Sequence, residues 1–275
     1  MDDSLQGPCM TYSAFLALFL LVPLLVTAAF TRTLQNRGMP VPSSLRAWPV
    51  LPVLAGHAVL AVLYTTPWDN YLVATQVWWY DKALVSGLVI GFVPLEEYLF
   101  FVAQTILVGL LTLLAARLTG RNGPELLPRP YLRLWSTLLV GLVGGLGAYL
   151  LASRQVAGTY LGLELVWAAV PLAIQLSFGA DILWHYRAHI FTTLIPAVAY
   201  FSIADAIAIR AGTWTISPLQ SSGILVGGVL PVEEMLFFLL TTAMVIFGVT
   251  LMLSRFSHER AGRPLFKGRT VWEAK

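Results

Sequence analysis

The sequence predicts an all-α membrane protein of seven transmembrane helices, arranged as two parallel three-helix repeats joined by one extra helix. Three observations carry this. The 275 residues are 57% hydrophobic and only 11% charged, against roughly 25% charged in a soluble domain. Most of the charges lie between apolar runs rather than within them. An eleven-residue stretch, Gly91-Phe92-Val93-Pro94-Leu95-Glu96-Glu97-Tyr98-Leu99-Phe100-Phe101, returns 137 residues later as Gly228-Val229-Leu230-Pro231-Val232-Glu233-Glu234-Met235-Leu236-Phe237-Phe238, with seven positions identical.

A bilayer-spanning helix needs about 20 mostly apolar residues. Seven runs qualify: Met10–Phe30, Trp48–Thr66, Ala83–Ala116, Leu134–Ala152, Tyr160–Phe178, Ile190–Ile209 and Gly223–Leu253. The start, Met1-Asp2-Asp3, is acidic, so the first run is expected to stay as a membrane helix rather than be cleaved as a signal peptide. Cys9 is the single cysteine, which leaves no disulfide framework and no thiolate metal cluster. The fourth run has no counterpart in the repeat. Its glycines Gly141, Gly144, Gly145 and Gly147 suit close helix packing and lack the spacing of a dinucleotide fingerprint. The tail from Arg255 onward is polar and basic and is expected to be mobile.

Net charge is +3 and the isoelectric point about 9.1, but the basic residues sit at the ends of apolar runs, so nucleic acid is not an expected partner. With seven spans, fourteen of the seventeen fall on one side and only Lys82, Arg154 and Arg210 on the other. The positive-inside rule then places the N-terminus outside and the C-terminus in the cytoplasm of a multi-pass membrane protein. The expected division is residues 1–120 for the first repeat, 121–155 for the connecting span, 156–255 for the second repeat and 256–275 for a basic tail. The extra span restores parallel orientation, so both Glu-Glu pairs reach the same half of the membrane.

Proline interrupts a helix, and the third and seventh runs, 34 and 31 residues long, exceed one crossing. Pro94 and Pro231 therefore divide each into an outer segment and a spanning helix that opens with Glu96/Glu97 or Glu233/Glu234. Acids in a first turn also suit the helix dipole, so simple capping is the bland alternative. Side chains three and four apart share a face, which puts Glu97, Phe101 and Gln104 in line, and Glu234, Phe238 and Thr241 in the other copy. In an apolar pocket, paired carboxyls divide into one protonated acid and one carboxylate, a donor and an acceptor of protons. Each half also carries an aspartate upstream, Asp69 or Asp205, and an aromatic site. Trp78, Trp79, Tyr80, Phe92, Tyr98 and Trp214 offer ring faces that can stabilise a cation, or an interfacial aromatic belt. Asp181, His185 and His189 are spaced like a metal face but read better as loop anchors, His57 stands alone, and no lysine is deep enough for a retinal Schiff base.

Thr66-Pro67-Trp68-Asp69-Asn70-Tyr71-Leu72, Val77-Trp78-Trp79-Tyr80 and Pro94-Leu95-Glu96-Glu97 resemble the first half of the integral-membrane lycopene cyclases. Asp205, Gly212-Thr213-Trp214 and Pro231-Val232-Glu233-Glu234 resemble the second half. In this family two small membrane subunits act together or are fused, and the chain is similar to the fused form from the second span onward. The resemblance implies cyclisation of the linear ends of lycopene to β-ionone rings (γ-carotene, β-carotene), without net redox change. Glu97 and Glu234 would then be proton donor and acceptor in an open order, Glu96 and Glu233 would tune them, and Asp69 and Asp205 would orient. Trp78, Trp79, Tyr98, Phe101, Trp214 and Phe238 would contact substrate. No cofactor or metal is expected. Expected partners are lycopene and related carotenoids, the lipid bilayer and other carotenoid enzymes. The rivals are a carotenoid-binding or transport protein without turnover, and a cyclase making a different ring or acting on a longer carotenoid.

Overall fold

A computed structural model describes residues 9–119 and 125–262. The acidic start, Arg121 and the end of the basic tail lie outside them. Among the described residues, seven helices are long and apolar enough to cross a membrane: α1 Tyr12–Asn36, α2 Val50–Ala74, α3 Leu95–Thr119, α4 Pro130–Ala152, α5 Thr159–His185, α6 Arg187–Arg210 and α7 Val232–Leu253. The chain is thus a multi-pass membrane protein of the expected class. Between the spans lie short strands: β1 Trp78–Tyr80, β2 Val89–Ile90, β3 Val93–Pro94, β4 Trp214–Ile216, β5 Leu225–Val226 and β6 Leu230–Pro231. A short helix, α8 Arg255–Arg260, follows α7.

α3 and α7 form the centre. Their most apolar windows are 61% and 56% buried, against 6% for α4. They touch each other; α1, α2 and α6 pack on α3, and α5, α6 and α2 pack on α7. The two halves correspond in their central contacts. Gln104 Nε2 donates to Thr241 Oγ1 at 3.3 Å, linking equivalent positions across the α3–α7 contact. β1 pairs antiparallel with β4, with Trp79 opposite Thr215 and the partners arranged symmetrically on either side. The ribbon is a two-fold crossing of equivalent segments over the acidic ends of α3 and α7.

The same correspondence accounts for two of the prolines inside the spans, Pro23 and Pro171. A proline lacks the N–H that would satisfy the carbonyl four residues earlier. Pro23 frees the carbonyl of Phe19, and Pro171 that of Trp167. The Tyr200 hydroxyl donates to Phe19 O at 3.0 Å, and the Tyr64 hydroxyl donates to Trp167 O at 2.7 Å. Two tyrosines from α6 and α2 thus close the breaks in α1 and α5, in the same way in each half.

Three expectations are corrected. The outer segments before Pro94 and Pro231 are β-hairpins, β2–β3 and β5–β6, rather than helix. The first turns at Gly91, where φ is +68° and a side chain would collide with Asn70 Oδ1. Only glycine both adopts that backbone and leaves room for Asn70 Oδ1 to accept the Phe92 N–H at 2.8 Å. The second correction concerns the tail, which is not loose from Arg255: in α8, Arg260 Nη1 and Nη2 donate to Asp181 at 2.8 and 2.7 Å. Asp181, His185 and His189 do not share one face, since non-helical Gly179 precedes them and α5 ends at His185. Each anchors local packing, His189 Nε2 lying 3.1 Å from Thr250 Oγ1. Third, only two of the α4 glycines meet α5. A Cβ on Gly147 would stand 2.8 Å from Leu165 Cβ, and one on Gly144 2.7 Å from Ala169 Cβ, whereas Gly141 and Gly145 face open space. Gly147→Val is expected to cost about 1–3 kcal/mol by overpacking and to lower the melting temperature in detergent, while Gly145→Ala leaves it unchanged.

Candidate functional site

The first turns of α3 and α7 bring four carboxyls to the same end of the bundle and point them two ways. Glu96 and Glu233 turn outward to the loops. Glu96 Oε1 accepts the Ser86 N–H at 2.6 Å and Oε2 the Ser86 hydroxyl at 3.0 Å; Glu233 Oε1 accepts the Ser222 N–H at 2.6 Å. They hold the loops leading to the hairpins rather than capping their own helices. Glu97 and Glu234 turn inward. The Tyr12 and Tyr80 hydroxyls both donate to Glu97 Oε2, the second at 2.9 Å, and the Tyr160 hydroxyl donates to Glu234 Oε1 at 2.8 Å. Burial, with Glu97 and Asp69 beside it, holds the Tyr80 phenol well above its ordinary range, so it remains a donor.

Glu97, Glu234, Asp69 and Asp205 line one chamber of about 40 Å³. Asp205 Oδ1 accepts the Trp214 indole N–H at 2.8 Å. Asp69, fully buried, takes the equivalent place in the first half, where Trp78 stands for Trp214. The remaining walls are aromatic: Tyr12, Tyr80, Trp68, Phe100, Phe101, Phe237 and Phe238. Strand alternation sends Trp78 and Tyr80 inward and Trp79 outward, so Trp79 is not part of the wall. Tyr98 is also outside it. One position beyond Glu97 on the helix, it donates to Ile90 O at 2.9 Å and accepts from Asn70 Nδ2 at 3.1 Å, clamping the hairpin. Phe92, 62% exposed, is likewise not a wall residue.

Two of the wall residues, Phe101 and Phe237, also line a larger apolar groove of about 320 Å³ between α2, α3, α5 and α7. Leu60, Val170 and Ile174 line it too and are exposed on the outer surface, so the groove opens toward lipid. His57, Gln104, Gln175 and Thr241 give it a few polar points. A second groove, of about 370 Å³, is lined by Pro23, Thr27, Thr193, Ala197 and Tyr200, the equivalents of Pro171, Gln175, His57, Ala61 and Tyr64. It shares no residue with the chamber.

Sequence reasoning missed Tyr12, Tyr160, Trp68 and Glu164 near this site. A signal existed for the tyrosines: Tyr12, Phe19 and Pro23 recur with the same spacing as Tyr160, Trp167 and Pro171, which extends the repeat into the first span. Glu164 has no such signal, since its place in the first half is held by Leu16.

The comparisons with known proteins follow the same two halves. The sequence profile described as lycopene cyclase matches residues 8–115 and, separately, 157–252. The chain is 39% identical over 195 residues to a protein of Halobacterium salinarum named lycopene beta-cyclase, covering 70% of this chain and 78% of that one. It is 35% identical over 201 residues to a bifunctional lycopene cyclase/phytoene synthase of Leptosphaeria maculans, covering 69% of this chain and 34% of the other. A similar bifunctional protein of Phycomyces blakesleeanus is 33% identical over 196 residues, 68% of this chain and 32% of that one. No solved structure matches significantly. With both halves of its helical core matched, the chain belongs to the lycopene cyclase family.

Proposed function

We propose that this chain closes the linear ends of lycopene into β-ionone rings, as the names of its relatives indicate for them. One observation supports this reading above the others: the duplicated inward acids, Glu97 and Glu234, face a single aromatic chamber whose wall is shared with a lipid-facing groove. The groove suits a polyene arm, and the chamber its reacting end. One glutamic acid protonates the terminal double bond, and a tertiary cation forms. The neighbouring double bond attacks it to close the ring, and the other glutamate removes a ring proton. One proton enters and one leaves, so the step is an isomerisation of the intramolecular-lyase class and calls for no oxidant. Trp78, Trp214, Phe101 and Phe238 offer ring faces to the cation.

A cavity that holds a six-membered ring measures about 150 Å³, and the chamber measures about 40 Å³. The incoming end group therefore displaces Phe101 and Phe237 and merges chamber with groove. Asp69 and Asp205 orient the aromatic walls, and Glu96 and Glu233 hold the loops that carry them. The functional units are residues 1–120 and 156–255, joined by 121–155, with 256–275 following. The acidic ends of α3 and α7 lie on the outer side and the basic loops in the cytoplasm. Substrate and product pass to and from other carotenoid enzymes within the bilayer. The test is pigment analysis of lycopene-making cells that express the chain. Cyclic carotenoids are expected; unchanged lycopene, with the protein inserted in the membrane, overturns the reading.

A further inference from the structure

Beside the chamber, the second half carries a buried acid at a position where the first half has none. Glu164 lies on α5 one turn beyond Tyr160, is fully buried, and has no hydrogen-bond partner on either oxygen. Tyr160, on the same face of α5, donates its hydroxyl to Glu234 Oε1 at 2.8 Å. The register between halves is fixed by backbone bonds: the Tyr12 N–H donates to Leu84 O at 2.8 Å, and the Tyr160 N–H to Gln220 O at 2.9 Å. Leu16, one turn beyond Tyr12, therefore occupies the place of Glu164 in the first half. A buried carboxyl without a hydrogen-bond partner is costly to hold as a charge. An unpaired acid in a wholly buried place, where the fold elsewhere accepts leucine, has no packing purpose.

A second asymmetry runs the same way. Glu97 Oε2 accepts two phenolic hydroxyls, from Tyr12 and Tyr80. Glu234 accepts one, from Tyr160, because the strand position equivalent to Tyr80 is Ile216. Two donors favour a carboxylate.

We propose that Glu164 is the proton store for Glu234, which makes Glu234 the donor to the polyene and Glu97 the base that takes the ring proton. This rests on the cyclase reading above. Glu234 gives its proton to the terminal double bond. The proton of Glu164 then moves to Glu234, leaving Glu164 as a carboxylate. The proton that Glu97 removes from the ring refills Glu164 once the product has left. The three carboxyls end the cycle with the protons they began with. Glu164 touches no substrate and acts as a positioning residue through Glu234.

The test uses the full chain in lipid vesicles loaded with lycopene, first with enzyme in excess and then with substrate in excess. Glu164→Gln and Glu164→Leu both remove the stored proton, and the leucine copies the packing of Leu16. For both, the first ring closure is expected within about twofold of the parent, and later cycles about a hundred times slower, the lower end for the loss of an acid–base group. Glu164→Asp, which keeps an acid, recovers the later cycles. Parental rates throughout, a first closure slowed as much as the later ones, or an aspartate no better than leucine would each overturn the proposal. A parent that closes no ring at all would instead overturn the cyclase reading.

Discussion

Glu97→Gln and Glu234→Gln are each expected to lower ring formation about a thousandfold, within the range for removing a positioned proton donor or acceptor. The substitution isolates that effect. Glutamine keeps the volume and can still accept the Tyr12 and Tyr80 hydroxyls at position 97, or the Tyr160 hydroxyl at position 234. Protein level in the membrane should therefore equal that of the parent, and product formed per mole of purified protein reads the chemistry alone. Glu96→Gln and Glu233→Gln are the internal controls. Glutamine there can likewise accept the backbone N–H groups of Ser86 and Ser222, so membrane level should be kept and turnover should change far less. Equal losses at all four positions would mean that the loops, not the inward acids, limit the reaction.

Filling the groove should be nearly as damaging. Ala61→Phe places a ring in the apolar channel that leads to Phe101 and Phe237, where a polyene arm has to lie if its end is to reach Glu97 and Glu234. A substrate displaced by even an ångström from the reacting groups loses about a hundredfold in rate, so cyclic product should fall by at least that factor while the chain still inserts. The fold supplies a matched control. Thr192 lies on the second groove, which shares no residue with the chamber, and is exposed. Thr192→Phe should leave product formation within about twofold, well short of that hundredfold loss. Loss of product in both variants would show that occupancy of either groove matters, and the polyene route would need to be redrawn.

The spans and the inward acids could be read directly from the chain because each rests on a strong local rule. Apolar runs of span length are unambiguous, and a repeated acid pair behind a proline is costly in lipid unless it does something. What escaped depended on contacts between distant segments. Trp78 and Trp79 have the same composition signal, and only the β1–β4 pairing decides that one faces the chamber and the other does not. The hairpins before Pro94 and Pro231 read as continuations of apolar helix, since two-residue strands leave no periodicity to detect. The Arg260–Asp181 pair joins residues 79 apart, so the tail after α7 looked unanchored. Glu164 was hidden for the opposite reason: the repeat drew attention to what the halves share, and this residue is where they differ.

If both halves of one chain serve one chamber, neither half closes a ring alone. The most direct measurement is pigment analysis of lycopene-making cells that express Glu97→Gln alone, Glu234→Gln alone, and the two chains together. A shared chamber predicts open-chain lycopene in all three strains, because every chain lacks either its donor or its acceptor. Half-parental cyclic product from either single variant would show that each half closes rings by itself, and would contradict the account.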